Sequence, residues 1–315
     1  MSLIEQAAKR LEQLRQAGVE LPTDDKQAQP VPKPPQTDVP HPSADIPDVL
    51  HTPTAGTTGA EHGSKPASKS VTINLEAIAA SNLLVPNGAR SQLADEFRVI
   101  KRPLIANAMG RLGNGTTNRN LIMVTSALPG EGKSFTAINL AISIAMELDN
   151  TVMLVDADVA RPSVLNMLGL PPSNGLLDVL QANSLDISEA LLRTNIEKLS
   201  ILPSGTPHPR ATELLASDTM NRLLDDMSRR YRDRIIIFDS PPLLLTTEAR
   251  VLATHMGQVV LVVNAENTAQ AAVKQAVTTI ESCPQKMLVL NQVRSDKTDG
   301  YGYGYGYGYG HKHET

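Results

Sequence analysis

Beyond residue 120 the chain alternates between short apolar runs and longer stretches whose apolar residues recur every three or four positions. The runs at 121–127, 151–158, 199–205, 234–240, 258–265 and 286–293 are rich in Val, Ile and Leu, with little polar alternation. Such runs predict strands buried on both faces, as in a parallel sheet. Stretches 134–147, 212–230 and 269–282 carry the helical period and predict helices between the strands. Segment 91–109 predicts a further helix, bent or divided at Pro103. The pattern therefore predicts one α/β domain over 80–295, with a mostly parallel central sheet flanked by helices.

The flanks read differently. Ile4, Ala7, Leu11 and Leu14 fall at helical spacing, which predicts a short amphipathic helix within 1–20. It is either a docking element or a marginal helix of little function. Residues 21–70 hold ten of the chain's 22 prolines and few large apolar groups, so a flexible linker is expected. The segment 296–315 contains five of the six tyrosines: Tyr301, Tyr303, Tyr305, Tyr307 and Tyr309, each followed by glycine. Alternating glycine raises the entropy cost of ordering this tail. It is either a low-complexity tail or a string that displays phenol hydroxyls. His311 and His313 are too few for a metal site.

Composition narrows the classes. An apolar content of 41% supports a substantial core, and a net charge of −4 with a pI near 6.0 gives no footprint for nucleic acid. Cys283 stands alone, which excludes an internal disulfide framework and fits a reducing compartment. No leader and no run of membrane-spanning length is recognisable, so any membrane connection is expected to run through a partner.

Chemistry concentrates at ALPGEGKS, residues 127–134. Its spacing is that of the phosphate loop GxxxxGK[ST], with Ala127 in place of the first glycine. Gly130 and Gly132 let the backbone curl around an anion, and the helix that opens there adds unpaired N–H groups. Gly130, Glu131, Gly132, Lys133, Ser134 and Phe135 form the expected nucleotide-binding stretch. Lys133 is placed to reach the outer phosphates and Ser134 to ligate Mg²⁺. Asp156 and Asp158 end one strand and Asp239 ends another, where the ligand crevice of an open α/β sheet lies. A lone aspartate is often a cap or turn residue. Three beside a phosphate loop predict a Mg²⁺–nucleotide site, with Ser134, Asp158 and Asp239 for the metal. Lys133, Asp156 and Asp158 are the catalytic candidates, with Asp156 the choice to orient or deprotonate a hydroxyl, exchangeable with Asp158. Arg161 is either a phosphate contact or a surface arginine.

TSALPGEGKS (125–134), VDADVARP (155–162), IIIFDSPP (235–242), LPSGTPHPRATELLAS (202–217) and the tyrosine tail together resemble the bacterial P-loop tyrosine autokinases of exopolysaccharide systems. The chain looks similar to their stand-alone, exosortase-associated subgroup. The resemblance spans about residues 85–309. It implies a P-loop NTPase fold of the partitioning-ATPase-like class, ATP and Mg²⁺ as cofactors, and transfer of the γ-phosphoryl group to the tail tyrosines. It also implies a homo-oligomer, a ring in the family, in which transfer runs in trans. Asp95, Arg98 and Lys101 match the family's oligomer contact, with Asp and Lys replacing the usual Glu and Arg. Asn291 falls where relatives recognise the base. Implied partners are a membrane chain-length protein (a polysaccharide co-polymerase) as activator and a tyrosine phosphatase. The implied location is cytoplasmic, at the inner membrane through that partner. Two departures stand out. Leu128 replaces the second lysine of partitioning relatives, and Ala160 replaces a family arginine. The alternatives are a partitioning or cell-positioning ATPase and a non-enzymatic nucleotide-binding scaffold.

Overall fold

The computed structural model describes residues 68–88, 90–111, 117–181 and 185–294. The expected N-terminal helix, the linker up to residue 67 and all five tail tyrosines lie outside them.

The strands are β1 (Lys69–Val71), β2 (Leu121–Ser126), β3 (Thr151–Asp156), β4 (Leu192–Thr194), β5 (Leu199–Leu202), β6 (Arg234–Asp239), β7 (Gln258–Asn264) and β8 (Gln285–Asn291). They form one sheet in the order β1-β4-β5-β3-β6-β2-β7-β8. From β5 to β8 every neighbouring pair is parallel. Only β4 runs antiparallel to its neighbour β5, and β1 follows β4 in parallel. The mostly parallel sheet expected from the unbroken Val/Ile/Leu runs is therefore present.

The central strands are buried on both sides, and their alternate residues feed two cores. Leu121, Met123, Ile236, Phe238, Val259 and Leu261 face one layer. Ile122, Val124, Ile235, Ile237, Val260 and Val262 face the other. Helices α2 (Gln92–Ala108) and α3 (Lys133–Ala145) cover the second face. Helix α8 (Asp218–Arg230) covers the first through Met220, Leu224 and Met227. Helix α9 (Thr247–Thr254) and helix α10 (Gln270–Thr279) lie on that same face. Short helices α1 (Leu75–Ala80), α4 (Val164–Met167), α5 (Leu176–Gln181), α6 (Ile187–Ala190) and α7 (Ala211–Leu215) complete the described fold.

Four details depart from the sequence expectation. Helix α2 runs through Pro103 undivided. The carbonyl left without a donor belongs to Val99, which is 72% exposed, so water can take that bond. The helix expected over 212–230 is two, because Ser217 caps α8 by accepting from the Met220 N–H at 3.2 Å. Strand β1 draws Lys69 and Ser70 out of the expected linker and into the sheet. Strands β1 and β4 and helix α1 are too short to carry a readable period. No helix among the described residues is long and apolar enough to cross a membrane.

Candidate functional site

Strands β3, β6 and β2 lie side by side, and their C-terminal ends deliver the predicted residues to one edge of the sheet. Asp156 pairs in register with Asp239, which in turn lies opposite Val124 of β2. The phosphate loop leaves β2 and enters α3. Gly130 and Gly132 have φ of 82° and 91°, a region that strongly favours glycine. The first helical bond runs from the Thr136 N–H to the Gly132 carbonyl at 2.9 Å. Backbone N–H groups from Gly130 to Phe135 donate to no described residue. A row of unclaimed donors at the start of a 13-residue helix is an anion site.

The loop is held from behind. Glu131 is 2% exposed, and its carboxylate accepts from the Leu128 N–H at 2.6 Å, the Thr268 hydroxyl and the Asn264 N–H at 3.4 Å. Its side chain thus ties the loop to the end of β7, and only its backbone N–H can serve a phosphate. Phe135 likewise packs its ring on the second core, which leaves its N–H as its contribution. Asn291 also braces the loop, through one N–H of its amide. Its side-chain N–H donates to the Glu131 carbonyl at 2.9 Å, while Gln292 donates to the Gly130 carbonyl at 3.0 Å. Asn264, Thr268 and Gln292 escaped sequence reasoning. Their local signal is position at or shortly after the ends of β7 and β8.

Charge is arranged around Lys133. Its ammonium lies 2.6 Å from Asp158 Oδ2 and 3.4 Å from the Ser134 hydroxyl. Asp158 Oδ1 accepts from the Arg161 N–H at 3.2 Å, so at Arg161 the backbone is engaged. Asp156 accepts through Oδ2 from the Ser163 and Val164 N–H groups, at 3.1 and 3.0 Å, and so anchors the start of α4. Its Oδ1 is buried without a partner, as are both carboxylate oxygens of Asp239. Burial raises the Asp239 pKa to about 6, against the pull of Lys133 and of the Ser134 hydroxyl, which lies near the carboxylate without a hydrogen bond of normal geometry, and with help from Asp158. Burial, then Asp239, raises Asp156 to about 7.

Orphaned buried carboxylate oxygens need a cation or a donor. Among the described residues no cluster of three or more acidic, histidine or cysteine side chains forms a ready metal cage. Mg²⁺ takes one or two carboxylates and completes its shell with phosphates and water. The donor set, with unclaimed loop N–H groups and Lys133, therefore fits a metal–nucleotide pair.

The expected oligomer contact divides. Asp95 pairs with Arg90 at 3.1 Å and with Arg98, on the exposed side of α2. The Arg90 hydrogen bond chiefly holds the Asp95 carboxyl below its ordinary range. Lys101 points inward instead. It is 5% exposed, pairs with Glu147 at 2.6 Å and donates to the Ser143 carbonyl at 2.5 Å. Its place in an intersubunit contact is thereby corrected: Lys101 ties α2 to the C-terminal end of α3.

A family model described as "AAA domain" matches residues 119–292. The chain is 31% identical over 222 residues to the tyrosine-protein kinase YwqD of Bacillus subtilis, covering 70% of this chain and 90% of that one. It is 33% identical over 184 residues to the tyrosine-protein kinase CpsD of Streptococcus agalactiae, covering 57% and 78%. Among solved structures, the chimerical protein CapA2B2 matches with a TM-score of 0.58 and 29% identity, over 72% of this chain and 94% of that one. The kinase domain of the Escherichia coli tyrosine kinase ETK matches with a TM-score of 0.57 and 26% identity, over 71% and 84%. Loop, carboxylates, sheet order and these likenesses converge: the chain belongs to the bacterial tyrosine-protein kinases built on a P-loop NTPase domain.

Proposed function

We propose that the chain is a protein-tyrosine autokinase that transfers the γ-phosphoryl group of Mg-ATP to Tyr301, Tyr303, Tyr305, Tyr307 and Tyr309. The observation that carries this reading is the set of buried, unpartnered carboxylate oxygens on Asp156 and Asp239 beside Lys133 and the open loop N–H groups. The same chain carries the phenols that such a site would serve.

The N–H groups of residues 130–135 bind phosphate oxygens, and Lys133 exchanges its Asp158 partner for them. Ser134, Asp158 and Asp239 would hold the metal. When bound, Mg²⁺ offsets the negative charge of the phosphates. Asp156 Oδ1 accepts the hydroxyl proton of the incoming tyrosine, a role that suits a carboxyl poised near neutrality.

Transfer in trans within an oligomer belongs to the proposal, as the resemblance of the tail and motifs implies. Asp95 and Arg98 remain as its exposed contact on α2. By the resemblance of its motifs to the autokinases of exopolysaccharide systems, the role is control of exopolysaccharide polymerisation and export from the cytoplasmic side. A membrane co-polymerase would activate the chain and a tyrosine phosphatase would oppose it.

Purified protein incubated with Mg²⁺ and γ-labelled ATP tests the reading. Label is expected on tyrosine in the 301–309 peptide, lost in Lys133→Met and on tail removal. Phosphate release with no labelled protein overturns it in favour of a partitioning-type ATPase. A tail-less active chain mixed with full-length Lys133→Met tests transfer in trans.

A further inference from the structure

Among the described residues β8 is the last strand of the sheet, paired with β7 on one side and with no strand on the other. Its register with β7 fixes where its side chains point. Leu288 lies beside Leu261 and Leu290 beside Val263, on the first core face. Leu261 and Val263 are buried, yet Leu288 and Leu290 are 52% and 66% exposed. Helix α10 packs Val273, Ala276 and Val277 on that core and leaves the two leucines uncovered. On the other face Met287 and Val289 do pack against the second core, so only one side of the edge is bare.

An open strand edge beside bare leucines is a template for a further strand. Charge, proline or a bulge commonly blunts such an edge. Strand β8 has no proline, and its one charge is turned back: the Lys286 ammonium donates to the Cys283 and Glu281 carbonyls. The strand that fits would carry large apolar groups on one face and almost nothing on the other. The sequence from Tyr301 to Tyr309 has that form, because successive side chains of a strand point to opposite faces. All five rings would fall on one side and only glycine on the other. Reach agrees. Nine residues, 292–300, separate β8 from Tyr301 and span up to about 30 Å, more than the roughly 23 Å length of a seven-residue strand.

We propose that the outer edge of β8 is a docking site for the chain's own Tyr-Gly tail, which adds to it as an antiparallel strand with tyrosine rings over Leu288 and Leu290. Aromatic rings beside leucine on one sheet face are a stabilising cross-strand pairing. A slip by two residues restores the same faces, so several registers are equivalent and together offset part of the ordering cost of glycine. Each phosphate would set about −1.5 to −2 of charge against the leucines and beside its neighbours. The edge therefore holds the unmodified tail and releases the phosphorylated one. Docking does not depend on the kinase reading; the source of the phosphate does.

Hydrogen exchange on the full-length chain tests this. Amides of residues 302–308 are expected to exchange at least about tenfold more slowly than in an isolated peptide of residues 296–315. Deleting 296–315 should in turn lower protection in β8. The double variant Leu288→Glu/Leu290→Glu changes only exposed positions and should return the tail to peptide rates, with β7 amides unchanged. Gly304→Pro/Gly306→Pro should do the same from the tail side, where the folded domain is untouched. Peptide rates in the wild-type tail overturn the proposal, and so does tail protection that survives Leu288→Glu/Leu290→Glu. A cysteine pair identifies the occupant. Leu288→Cys with Tyr305→Cys should give a cross-linked monomer on a non-reducing gel. Gly304→Cys in place of Tyr305→Cys, on the opposite face, should cross-link several-fold less. A cross-linked dimer assigns the edge to a second copy's tail and overturns docking of the chain's own. A tail joined by peptide ligation with phosphotyrosine at all five positions should exchange at peptide rates, whether or not the chain is a kinase. Retained protection there overturns release by phosphate.

Discussion

Gly132 and Asn291 touch across the back of the phosphate loop. A β-carbon on residue 132 would lie 2.1 Å from the Asn291 side-chain nitrogen, and the backbone there has φ of 91°. Two separate penalties thus fall on any side chain at 132. Gly132→Ala is expected to lower nucleotide affinity by more than about tenfold, measured by titration calorimetry. The double variant Gly132→Ala/Asn291→Ala relieves the clash and leaves the strain. It should recover part of the loss and never all of it.

Lys133 and Asp158 form a buried pair at 2.6 Å. Lys133→Met removes the cation paired with Asp158 and lets Asp158 and Asp239 repel each other unscreened. Breaking a buried pair from one side costs about 3–5 kcal/mol. The variant should therefore unfold at clearly lower denaturant, besides losing phosphotransfer. Adding Asp239→Asn should restore part of the stability and none of the activity. Unchanged denaturation midpoints in Lys133→Met would contradict this arrangement.

How much of this was legible beforehand follows from the range of each interaction. Gly130, Gly132, Lys133 and Ser134 act through the loop's own backbone, so eight consecutive residues reveal them. Asp156 and Asp239 could be placed because apolar strands end on them, and strand ends in a parallel sheet share an edge. Asn291 could not be assigned that way. Its partner is the Glu131 carbonyl, 160 positions away, and no local pattern announces it. Lys101 was misplaced for a related reason. Its spacing from Asp95 and Arg98 suggests one helix face, yet a long flexible stem lets its head reach Ser143 on α3 and Glu147 just past its end.

That inward turn separates two effects that a charged helix face would merge. Lys101→Met should lower monomer stability by about 1–2 kcal/mol, a modest figure because Glu147 is 43% exposed on its side chain. Subunit mass by light scattering should stay as in the wild type. Arg98→Ala should do the reverse, with little change in denaturation midpoint and a shift toward smaller assemblies. If Lys101→Met alone dissociated the oligomer without destabilising the monomer, the inward pairing would be wrong.

Asp239 and Asp156 set the direction of the pH response. Their folded pKa values of about 6 and about 7 stand above an ordinary 3.8, chiefly because burial disfavours the ionised form. Between pH of about 4 and about 7 the folded chain therefore binds more protons than the unfolded one. Stability from these groups is whole below the ordinary pKa and is lost as pH rises through the folded values. For Asp239 the loss is on the order of 3 kcal/mol. Nucleotide-free protein should thus melt at lower temperature at pH 8 than at pH 5, by several degrees relative to Asp239→Asn, which has no proton to lose. Metal-dependent nucleotide binding needs the ionised carboxylates, so it should strengthen over the same interval. The opposed trends give a clear check: melting curves across that pH range, with and without Mg-nucleotide, for wild type and Asp239→Asn. Parallel curves for the two nucleotide-free proteins would remove Asp239 as the titrating group.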